Sequence, residues 1–218
     1  MPSIESRARR FAALGDPRRL AIAESLVASH RTPGELIELT GLSSSLLAHH
    51  LDILETADVI IRRDGTSDKR KRFIALHDDA RALMQPVKLR GPVLFVCTHN
   101  SARSQLASAI WHAETGELAD SAGTHPAKAV HPLAVAVAAD HGLDLTGTSP
   151  RLINPSELHR STVITVCDQA HDEIPHPLDR FHWSIPDPVT SGTSRDFEQV
   201  FDQLSSIINQ LKGNNHVQ

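Results

Sequence analysis

The chain contains no tyrosine, two cysteines and only six phenylalanine and two tryptophan residues among its 218 residues. Two cysteines are too few for the disulfide framework of a small secreted domain, so they are packing residues or reactive thiols. No apolar run approaches the roughly 18 residues of a membrane-spanning helix, and residues 1–15 lack the apolar core of a signal peptide. We therefore expect a cytoplasmic protein with no membrane segment.

The net charge of −4 conceals an uneven distribution of charge along the chain. Residues 1–90 carry 15 basic and 12 acidic residues, whereas residues 91–218 carry 7 basic and 14 acidic residues. A hydrophobic fraction of 40% and a charged fraction of 22% are those of a globular protein, and the length allows two small domains. The basic first part and the acidic second part indicate two domains with different partners.

The junction between the two domains is the segment QPVKLRGP, residues 85–92. Its two prolines and one glycine interrupt the hydrophobic periodicity of the sequence. These signals divide the chain into a first domain, a linker, a second domain and a tail, at residues 1–84, 85–91, 92–212 and 213–218.

The first domain contains four helix patterns followed by a hairpin pattern. An amphipathic pattern over residues 4–15 predicts the first helix, and Asp16 followed by Pro17 predicts the start of the second. The third pattern ends at Gly41, and the fourth begins after a brief turn. The runs VIIRR and RFIAL flank a polar tip and predict a β-hairpin. This order of helices and hairpin predicts an α+β winged helix-turn-helix domain.

The same segments resemble the arsenic-repressor (ArsR) family of winged helix-turn-helix regulators over roughly residues 7–77. FAALGDPRRLAIAESL is similar to the opening helices of that family, and ELTGLSSSLLAHHLDILETADVI is similar to its helix-turn-recognition helix. IIRRDGTSDKRKRFIAL is similar to its wing. The resemblance implies binding to double-stranded DNA, regulation of transcription and a homodimer formed through this domain, which suits two half-sites about one helical turn apart.

Two groups of polar residues in this domain are candidates for DNA contact. The first group is expected to face outward near the start of the recognition helix, where hydroxyls and imidazoles reach base edges and phosphates. The second group places positive charge against the DNA backbone. The alternative is that the charged hairpin tip is only a solvated turn. The candidates are Ser43, Ser44, Ser45, His49 and His50 in the helix, and Arg62, Arg63, Lys69, Arg70, Lys71 and Arg72 in the hairpin.

Metal-sensing members of the ArsR family carry cysteines on the helix before the recognition helix. The corresponding stretch here reads RTPGELIEL, and residues 1–90 contain no cysteine. This excludes a thiolate site for arsenite or a metal within the domain. The histidines of the domain are not spaced as metal ligands, so no metal site is predicted.

The second domain alternates strand and helix patterns, which predicts an α/β domain with a parallel sheet flanked by helices. Strand patterns cover residues 93–97, a short segment near 118–124, and residues 162–167. Helix patterns cover residues 102–115, 131–141 and 194–211.

The stretch VLFVCTHNSARSQLA places Cys97 at the end of the first strand of this domain and Arg103 at the start of a helix. A cysteine is nucleophilic as the thiolate, and backbone N–H groups at a helix N-terminus favour that form. The same amides bind a tetrahedral oxyanion, and an arginine at the end of the loop forks onto two of its oxygens. The predicted oxyanion-binding loop consists of Thr98, His99, Asn100, Ser101, Ala102 and Arg103.

This loop resembles that of the low-molecular-weight tyrosine phosphatase superfamily and, within it, the thiol-coupled arsenate reductases. SAGTHP, VHPLAVAVAADHGLDLTGTSPRLI and FHWSIPDPVTSGTSRDFEQVFDQL resemble further segments of the superfamily, over roughly residues 92–211. The resemblance implies that Cys97 attacks phosphorus or arsenic, while Arg103 and the loop amides hold the oxyanion. It also implies that Ser104 hydrogen-bonds the thiolate, Asn100 maintains the loop, and Asp187 protonates the leaving oxygen.

Two features favour arsenate reduction over the hydrolysis of an aryl phosphate. Phosphatases of this kind usually have aromatic residues after the Asp-Pro pair, whereas Val189 and Thr190 follow Asp187 and Pro188 here. Together with the absence of tyrosine, this favours a small inorganic oxyanion, arsenate or phosphate, over an aryl phosphate. Cys167 also matches the second cysteine of thioredoxin-coupled arsenate reductases, and the alternative is that it is a small core residue at a strand end.

The means of recycling the thiols is the open question. Thioredoxin-coupled reductases carry a third cysteine a few residues further on, which shuttles the disulfide outward, and DQAHDEIPHP contains none. Reduction would then need direct attack by thioredoxin on a Cys97–Cys167 disulfide, or a small thiol such as mycothiol or glutathione. No bound cofactor is predicted.

Three functions follow from the whole chain. The first is an arsenate reductase joined to a DNA-binding regulator, and we rank it first because the loop and Asp187 are complete. The second is a transcriptional regulator whose second domain senses an oxyanion or the redox state without turnover, which the missing third cysteine favours. The third is a phosphatase of a small phosphate ester.

Overall fold

A computed structural model of the protein describes residues 3–85, 87, 89, 91–175 and 180–213. The chain forms two compact units, Met1–Val87 and Lys88–Gln218. The predicted tail lies outside the described residues apart from Gly213, and so do three positions of the predicted linker. Within the described ranges, no helix is both long enough and apolar enough to cross a membrane.

The described part of the first unit contains five helices and one antiparallel pair of strands. The helices are α1 (Ile4–Leu14), α2 (Pro17–Ser25), α3 (Pro33–Thr40), α4 (Ser44–Thr56) and α5 (Asp78–Arg81). The strands are β1 (Ile60–Asp64) and β2 (Arg72–Leu76), paired with Ile60 opposite Leu76. This arrangement confirms the predicted winged helix-turn-helix. The four-residue helix α5 was not predicted, because so short a segment carries no periodic signal.

The ends of the helices in this unit follow from local side-chain chemistry. The Asp16 carboxylate accepts hydrogen bonds from the backbone N–H groups of Arg18 and Arg19 and so caps α2. Thr32 and Glu35 form a reciprocal capping box at the start of α3. Helix α3 ends at Gly41, whose φ of 67° is a left-handed conformation that favours glycine.

The second unit is built on a four-stranded parallel sheet. Its strands are β3 (Val93–Cys97), β4 (Ala119–Gly123), β5 (Thr162–Thr165) and β6 (Phe181–His182), in the spatial order β4-β3-β5-β6. Three of them were predicted. The two-residue strand β6 was not, because it is too short for an alternating pattern. Parallel pairing places the carboxyl ends of β3 and β5 at the same edge of the sheet.

Helices cover the sheet in the described part of this unit. They are α6 (Arg103–Thr115), α7 (Pro132–Asp140), α8 (Glu157–Arg160), α9 (Asp168–Glu173), α10 (Pro188–Ser191) and α11 (Ser194–Gly213). The centre of the core is Phe95 of β3, whose ring centroid lies 6.0 Å from that of Trp111 and 5.5 Å from that of Trp183. Both tryptophans therefore pack against the strand that ends at Cys97.

Candidate functional site

The thiol of Cys97 lies at the junction of β3 and the loop that leads to α6. The residue is buried, with 2% of its surface exposed. Its Sγ is 3.1 Å from the hydroxyl oxygen of Ser104 and accepts a hydrogen bond from the backbone N–H of Asn100 at 3.2 Å. Hydrogen-bond donors at this position stabilise a thiolate, which is the role predicted for Ser104.

Asn100 holds the loop in an unusual backbone conformation. Its φ of 49° is left-handed, which Asn tolerates better than most residues. Its side-chain N–H groups donate to the hydroxyls of Ser104 at 2.8 Å and Ser121 at 2.9 Å. Its side-chain oxygen accepts from the backbone N–H of Arg151 at 2.9 Å. These three bonds fix the turn that aims the backbone N–H group of Asn100 at the Cys97 sulfur.

Three residues that contact this loop were not predicted from the sequence. The side-chain amide of Gln105 donates to the carbonyl of Asn100 at 3.2 Å and to that of Ser149 at 3.5 Å. Ser121 and Arg151 contribute the bonds described above. The partners lie up to 51 residues apart in sequence, so spacing alone gives no signal for them.

Gly123, at the end of β4, provides the space that the loop occupies. A Cβ atom at this position would lie 2.7 Å from the Thr98 carbonyl oxygen and 3.0 Å from the Asn100 Cβ. The backbone N–H groups of Thr124 and His125 also donate to the carbonyls of Cys97 and Thr98. The close approach of two backbones therefore requires glycine here.

We expect Gly123→Ala to destabilise the second unit by about 2 kcal/mol or more, since a backbone carbonyl cannot move away cheaply. The measurement is thermal unfolding followed by tryptophan fluorescence, because Trp111 and Trp183 both lie in this unit. Gly147→Ala is the matched control, as its Cβ would meet nothing within 4 Å. Equal unfolding temperatures for the two variants would contradict the assignment.

Arg103 and Asp187 face each other across the loop. Arg103 is buried, with 7% of its surface exposed, and donates to the carbonyl of Ile185 at 3.1 Å. A second guanidinium nitrogen lies 3.1 Å from a carboxylate oxygen of Asp187. The other oxygen of Asp187 accepts from the N–H of Val189 and caps the short helix α10. The predicted oxyanion ligand and the predicted acid are thus brought together.

Cys167 lies at the same edge of the sheet, directly before α9. It is 2% exposed, and its Sγ accepts from the N–H of Ala170 at 3.4 Å as the N-cap of that helix. The Thr98 hydroxyl lies 3.3 Å from the same sulfur, although the two residues are 69 positions apart. Burial raises the pKa of the Cys167 thiol, and the nearby positive charge of Arg103 opposes that effect.

A buried polar cluster follows Cys167. The carboxylate of Asp168 accepts from the Ser184 hydroxyl at 2.7 Å and lies 3.3 Å from the His182 ring. The other side of that ring contacts the Thr165 hydroxyl at 2.9 Å, and His171 stacks on it with 4.1 Å between ring centroids. All five residues are at most 7% exposed. Sequence reasoning did not find this cluster, because its members come from three separate elements.

A cavity of about 460 Å³ adjoins the loop. His99, Ser101 and Asp187 line it, together with residues 127, 129–132 and 189–190. The ring of His131 stacks on Phe197 with 4.8 Å between centroids, and its Nδ1 accepts from the N–H of Leu133. Of the six predicted loop residues, His99 is the one whose side chain is exposed.

In the first unit, α4 exposes only part of the predicted recognition surface. Four of its five members are exposed: Ser43, Ser44, Ser45 and His49. The hydroxyl of Ser43 also caps the helix, because it accepts a hydrogen bond from the backbone N–H of Leu46. His50 does not face outward as predicted, because only 6% of its surface is exposed. A helix turns about 100° per residue, so His49 and His50 cannot both face the same side.

The buried imidazole of His50 has no hydrogen-bond partner among the residues that the structure describes. Burial lowers the pKa of His50 below its usual 6.5, and Asp16 opposes the effect while Arg19 adds to it. The unfolded chain therefore binds the proton more tightly than the folded one. This contribution to stability is complete above about pH 6.5 and is lost as the pH falls below that value.

We expect His50→Leu to slow amide hydrogen exchange in α4, because it removes a buried polar group that lacks a partner. In the native protein we expect the protection factors of the α4 amides, which are corrected for the intrinsic exchange rate at each pH, to fall below about pH 6.5, and this fall should diminish in the variant. Hydrogen exchange followed by mass spectrometry of α4 peptides measures both effects. His49→Leu, at the exposed neighbouring position, should leave the pH dependence unchanged. The same pH dependence in the native protein and the His50 variant would refute the assignment.

The hairpin presents its basic residues in two settings. Arg62 pairs with Asp52 at 2.7 Å and with Glu55, both on α4, and Arg72 pairs with Asp64 across the hairpin. Arg63, Lys69 and Arg70 are exposed, and Lys71 is half-buried. The side chain of Arg70 is 92% exposed and pairs with Asp68 at 3.0 Å. Surface pairs of this kind contribute little to stability.

Across the described ranges, no group of three or more metal-ligating side chains is placed to bind a metal ion.

The fold and the site define the second unit as a phosphatase-like enzyme domain, in which a cysteine thiol lies at the base of a loop suited to a tetrahedral oxyanion. The chain belongs to the low molecular weight phosphotyrosine protein phosphatase family, whose model matches residues 92–218. Residues 16–62 match the model of the bacterial regulatory protein, arsR family. The two resemblances inferred from the sequence are therefore confirmed.

Several known proteins are similar to this chain. Arsenate reductase 2 of Staphylococcus epidermidis is 30% identical over 125 residues, which cover 55% of this chain and 95% of that protein. The arsenate reductase of Bacillus licheniformis is 32% identical over 130 residues, 55% of this chain and 93% of that protein. A low molecular weight protein tyrosine phosphatase from T. tengcongensis shares the fold, with a TM-score of 0.51, 22% identity, and coverage of 57% of this chain and 99% of that one.

Proposed function

We propose that the chain is an arsenate reductase joined to a DNA-binding regulator of the arsenic response. The observation that carries this proposal is the second thiol, Cys167, which lies 3.3 Å from a hydroxyl of the loop that begins at Cys97. Hydrolysis of a phosphate ester needs one thiol, whereas reduction of arsenic(V) to arsenic(III) needs two electrons, which two thiols supply by forming a disulfide. The similarity to two arsenate reductases supports the same activity.

The proposed reaction assigns a role to the loop amides, Arg103, Asp187 and the two cysteines. The loop amides and Arg103 hold arsenate, and the Cys97 thiolate attacks arsenic. An As–O bond breaks, and Asp187 donates the proton with which that oxygen leaves as water. The Cys167 thiolate then attacks Cys97 Sγ, and the electron pair of the broken S–As bond stays on arsenic, which leaves as arsenite. The two thiols have become one disulfide.

The surroundings of Cys167 set the rate of that second step. Thr98 and the N–H of Ala170 stabilise its thiolate, while burial raises the pKa of the thiol. The thiolate is therefore a minor species near neutrality. We expect the release of arsenite to accelerate as the pH rises to about 8.5 and above.

A single-turnover experiment tests the proposal. Fully reduced protein, freed from all reductant, should release up to one arsenite per chain from arsenate and lose two titratable thiols. A protein that hydrolyses p-nitrophenyl phosphate rapidly and releases no arsenite is a phosphatase instead. A protein that binds arsenate and does neither is a sensor.

For the first unit we propose binding to double-stranded DNA through α4 and the hairpin, supported by the exposed hydroxyls and cations described above.

We also propose that this unit forms the homodimer. Helix α1 leaves Ile4 68% and Phe11 54% exposed. These residues are seven positions apart and so share one face of the helix, as in an apolar surface that meets a partner. Sedimentation of the full chain measures the oligomeric state.

A further inference from the structure

The hydrogen bonds of the Cys167 sulfur do little to fix its position. The Thr98 hydroxyl lies 3.3 Å from it and the N–H of Ala170 lies 3.4 Å from it, and sulfur is a weak acceptor. Reacting atoms must approach to about 3–3.5 Å, and a displacement of about 1 Å can slow a reaction about 100-fold. The place of this thiol in a reaction therefore depends on the backbone that carries it.

Three residues that flank Cys167 contact one buried imidazole, that of His182. Thr165 precedes the cysteine by two positions, and its hydroxyl lies 2.9 Å from Nδ1 of the ring. Asp168 follows the cysteine directly, and its carboxylate lies 3.3 Å from Nε2. His171 stacks on the same ring, with 4.1 Å between centroids and 18° between planes. One side chain that is 1% exposed thus holds the backbone on both sides of the cysteine.

Asp168 joins this cluster to the start of α9. It is the first residue of that helix, which has six residues and is too short to be stable through its own propensity. Its Oδ1 atom accepts a hydrogen bond from the Ser184 hydroxyl at 2.7 Å, and the residue is 1% exposed. A buried polar group that loses its partner is strongly disfavoured, so this bond resists breaking. Asp168 therefore anchors the first turn of α9, which includes the N–H of Ala170.

The segment that binds Asp168 also contacts the oxyanion-binding loop. One residue after Ser184, the carbonyl of Ile185 accepts a hydrogen bond from Arg103 at 3.1 Å. Two residues further on, the Asp187 carboxylate lies 3.1 Å from the same guanidinium group. Residues 182–187 thus contact the second thiol's loop at one end and the oxyanion-binding loop at the other. The bonds of Asp168 consequently orient the second thiol relative to the first.

We propose that Asp168 is a positioning residue, which acts through Ser184 and His182 to hold Cys167 for its attack on Cys97 Sγ. The inference rests on the proposed reductase function. In that step the Cys167 thiolate forms the S–S bond, the S–As bond breaks, and its electron pair stays on arsenic. Loss of Asp168 should therefore slow the second step and spare the binding of the oxyanion.

Single-turnover release of arsenite by the full chain distinguishes the two steps. Asp168→Ala should slow the release about 100-fold. The alkylation of Cys97 by iodoacetamide, and its slowing by inorganic phosphate, should stay unchanged. Asp168→Asn keeps the shape and one oxygen that accepts from Ser184, so release should recover to within about tenfold of normal. Asp172→Ala, at an exposed position of the same helix, is the matched control and should have no effect.

A second measurement does not depend on arsenate. Hydrogen peroxide oxidises the Cys97 thiolate to a sulfenic acid, and Cys167 displaces its hydroxyl group, which leaves as water, to form the disulfide. A second peroxide molecule converts the same sulfenic acid to a sulfinic acid instead. In Asp168→Ala protein the ratio of disulfide to sulfinic acid, measured by mass spectrometry, should fall by a factor similar to that for arsenite release. Ser184→Ala, which removes one bond to Asp168, should give an intermediate ratio.

These outcomes separate the positioning role from the reductase function. A lowered ratio in peroxide, together with no arsenite release from the unchanged protein, would support the role of Asp168 and end the reductase proposal. A normal ratio and normal arsenite release in the Asp168→Ala protein would overturn the inference. If that variant does not fold, a normal ratio in the Ser184→Ala protein would overturn it equally.

Discussion

Replacing Cys97 by serine is expected to abolish the release of arsenite, with a rate at least about four orders of magnitude below that of the unchanged protein. A serine hydroxyl is a far weaker nucleophile than a thiolate. Even if it did attack arsenic, its oxygen could not form the disulfide that supplies two electrons. The measurement is arsenite released in a single turnover from reduced protein without added reductant.

The variant should keep the oxyanion loop, which makes the loss of activity interpretable. Asn100 retains its bonds to Ser104, Ser121 and Arg151, none of which involves the sulfur. Arsenate should therefore still raise the unfolding temperature of the Cys97→Ser protein. A variant that gains no stability from arsenate has lost the loop and not only the nucleophile.

Cys167→Ser is the matched control, because it removes the other buried thiol. This variant should still react with arsenate at Cys97, so arsenate should protect Cys97 from iodoacetamide. It should release no arsenite in the absence of a small thiol, since no second sulfur in the chain can attack the adduct. Arsenite release from the Cys97 variant at a rate near normal would contradict the proposed chemistry, and normal release from the Cys167 variant would reduce that residue to a packing role.

The sequence predicted the local parts of this site better than the distant ones. The loop from Cys97 to Arg103 is a contiguous motif between a strand and a helix, so its spacing determines its shape. The contact between Thr98 and Cys167 depends instead on which strands are neighbours and in what register. Val96 pairs with Thr165, and that pairing brings the two loops together. No local pattern encodes it.

Short elements were missed for a related reason. Helices α9 and α10 have six and four residues, too few for a repeat of 3.6 residues to be recognised. Yet Cys167 is the N-cap residue of α9, and Asp187 is the N-cap residue of α10. The site thus depends on segments that tertiary contacts stabilise more than local propensity does.

His50 shows an error that the helix period could have prevented. Leu47, His50, Leu51 and Leu54 are the buried residues of α4, at the spacing of a single helix face. We predicted that His50 faces outward with the other polar residues of the recognition helix. His50 is buried because it lies on the same helix face as the three leucines. Its polar imidazole determines only how much free energy that burial costs.

The second large effect is expected at the tip of the hairpin. Changing Lys69 and Arg70 together to glutamine should lower the slope of log affinity against log salt by about 2, since each phosphate contact contributes about 0.9. If the affinities of the two proteins are equal at about 1 M salt, this change of slope gives a roughly thirtyfold loss of affinity near 0.15 M salt. Both side chains are exposed, and the surface pair of Arg70 with Asp68 is weak enough to exchange for a phosphate. The measurement is fluorescence anisotropy of a labelled duplex of mixed sequence over a series of salt concentrations.

The control removes an equal charge elsewhere. Lys128 and Arg195 are one lysine and one arginine, both exposed, in the second unit. Changing them to glutamine alters the net charge by the same amount, so a general electrostatic effect would appear equally in both proteins. Arg62 and Arg72 are unsuitable for this comparison, because they pair with Asp52 and Asp64 and support the hairpin itself. If the slope of the Lys69 and Arg70 variant equals that of the control, the hairpin tip is only a solvated turn and DNA contact must come from α4 alone.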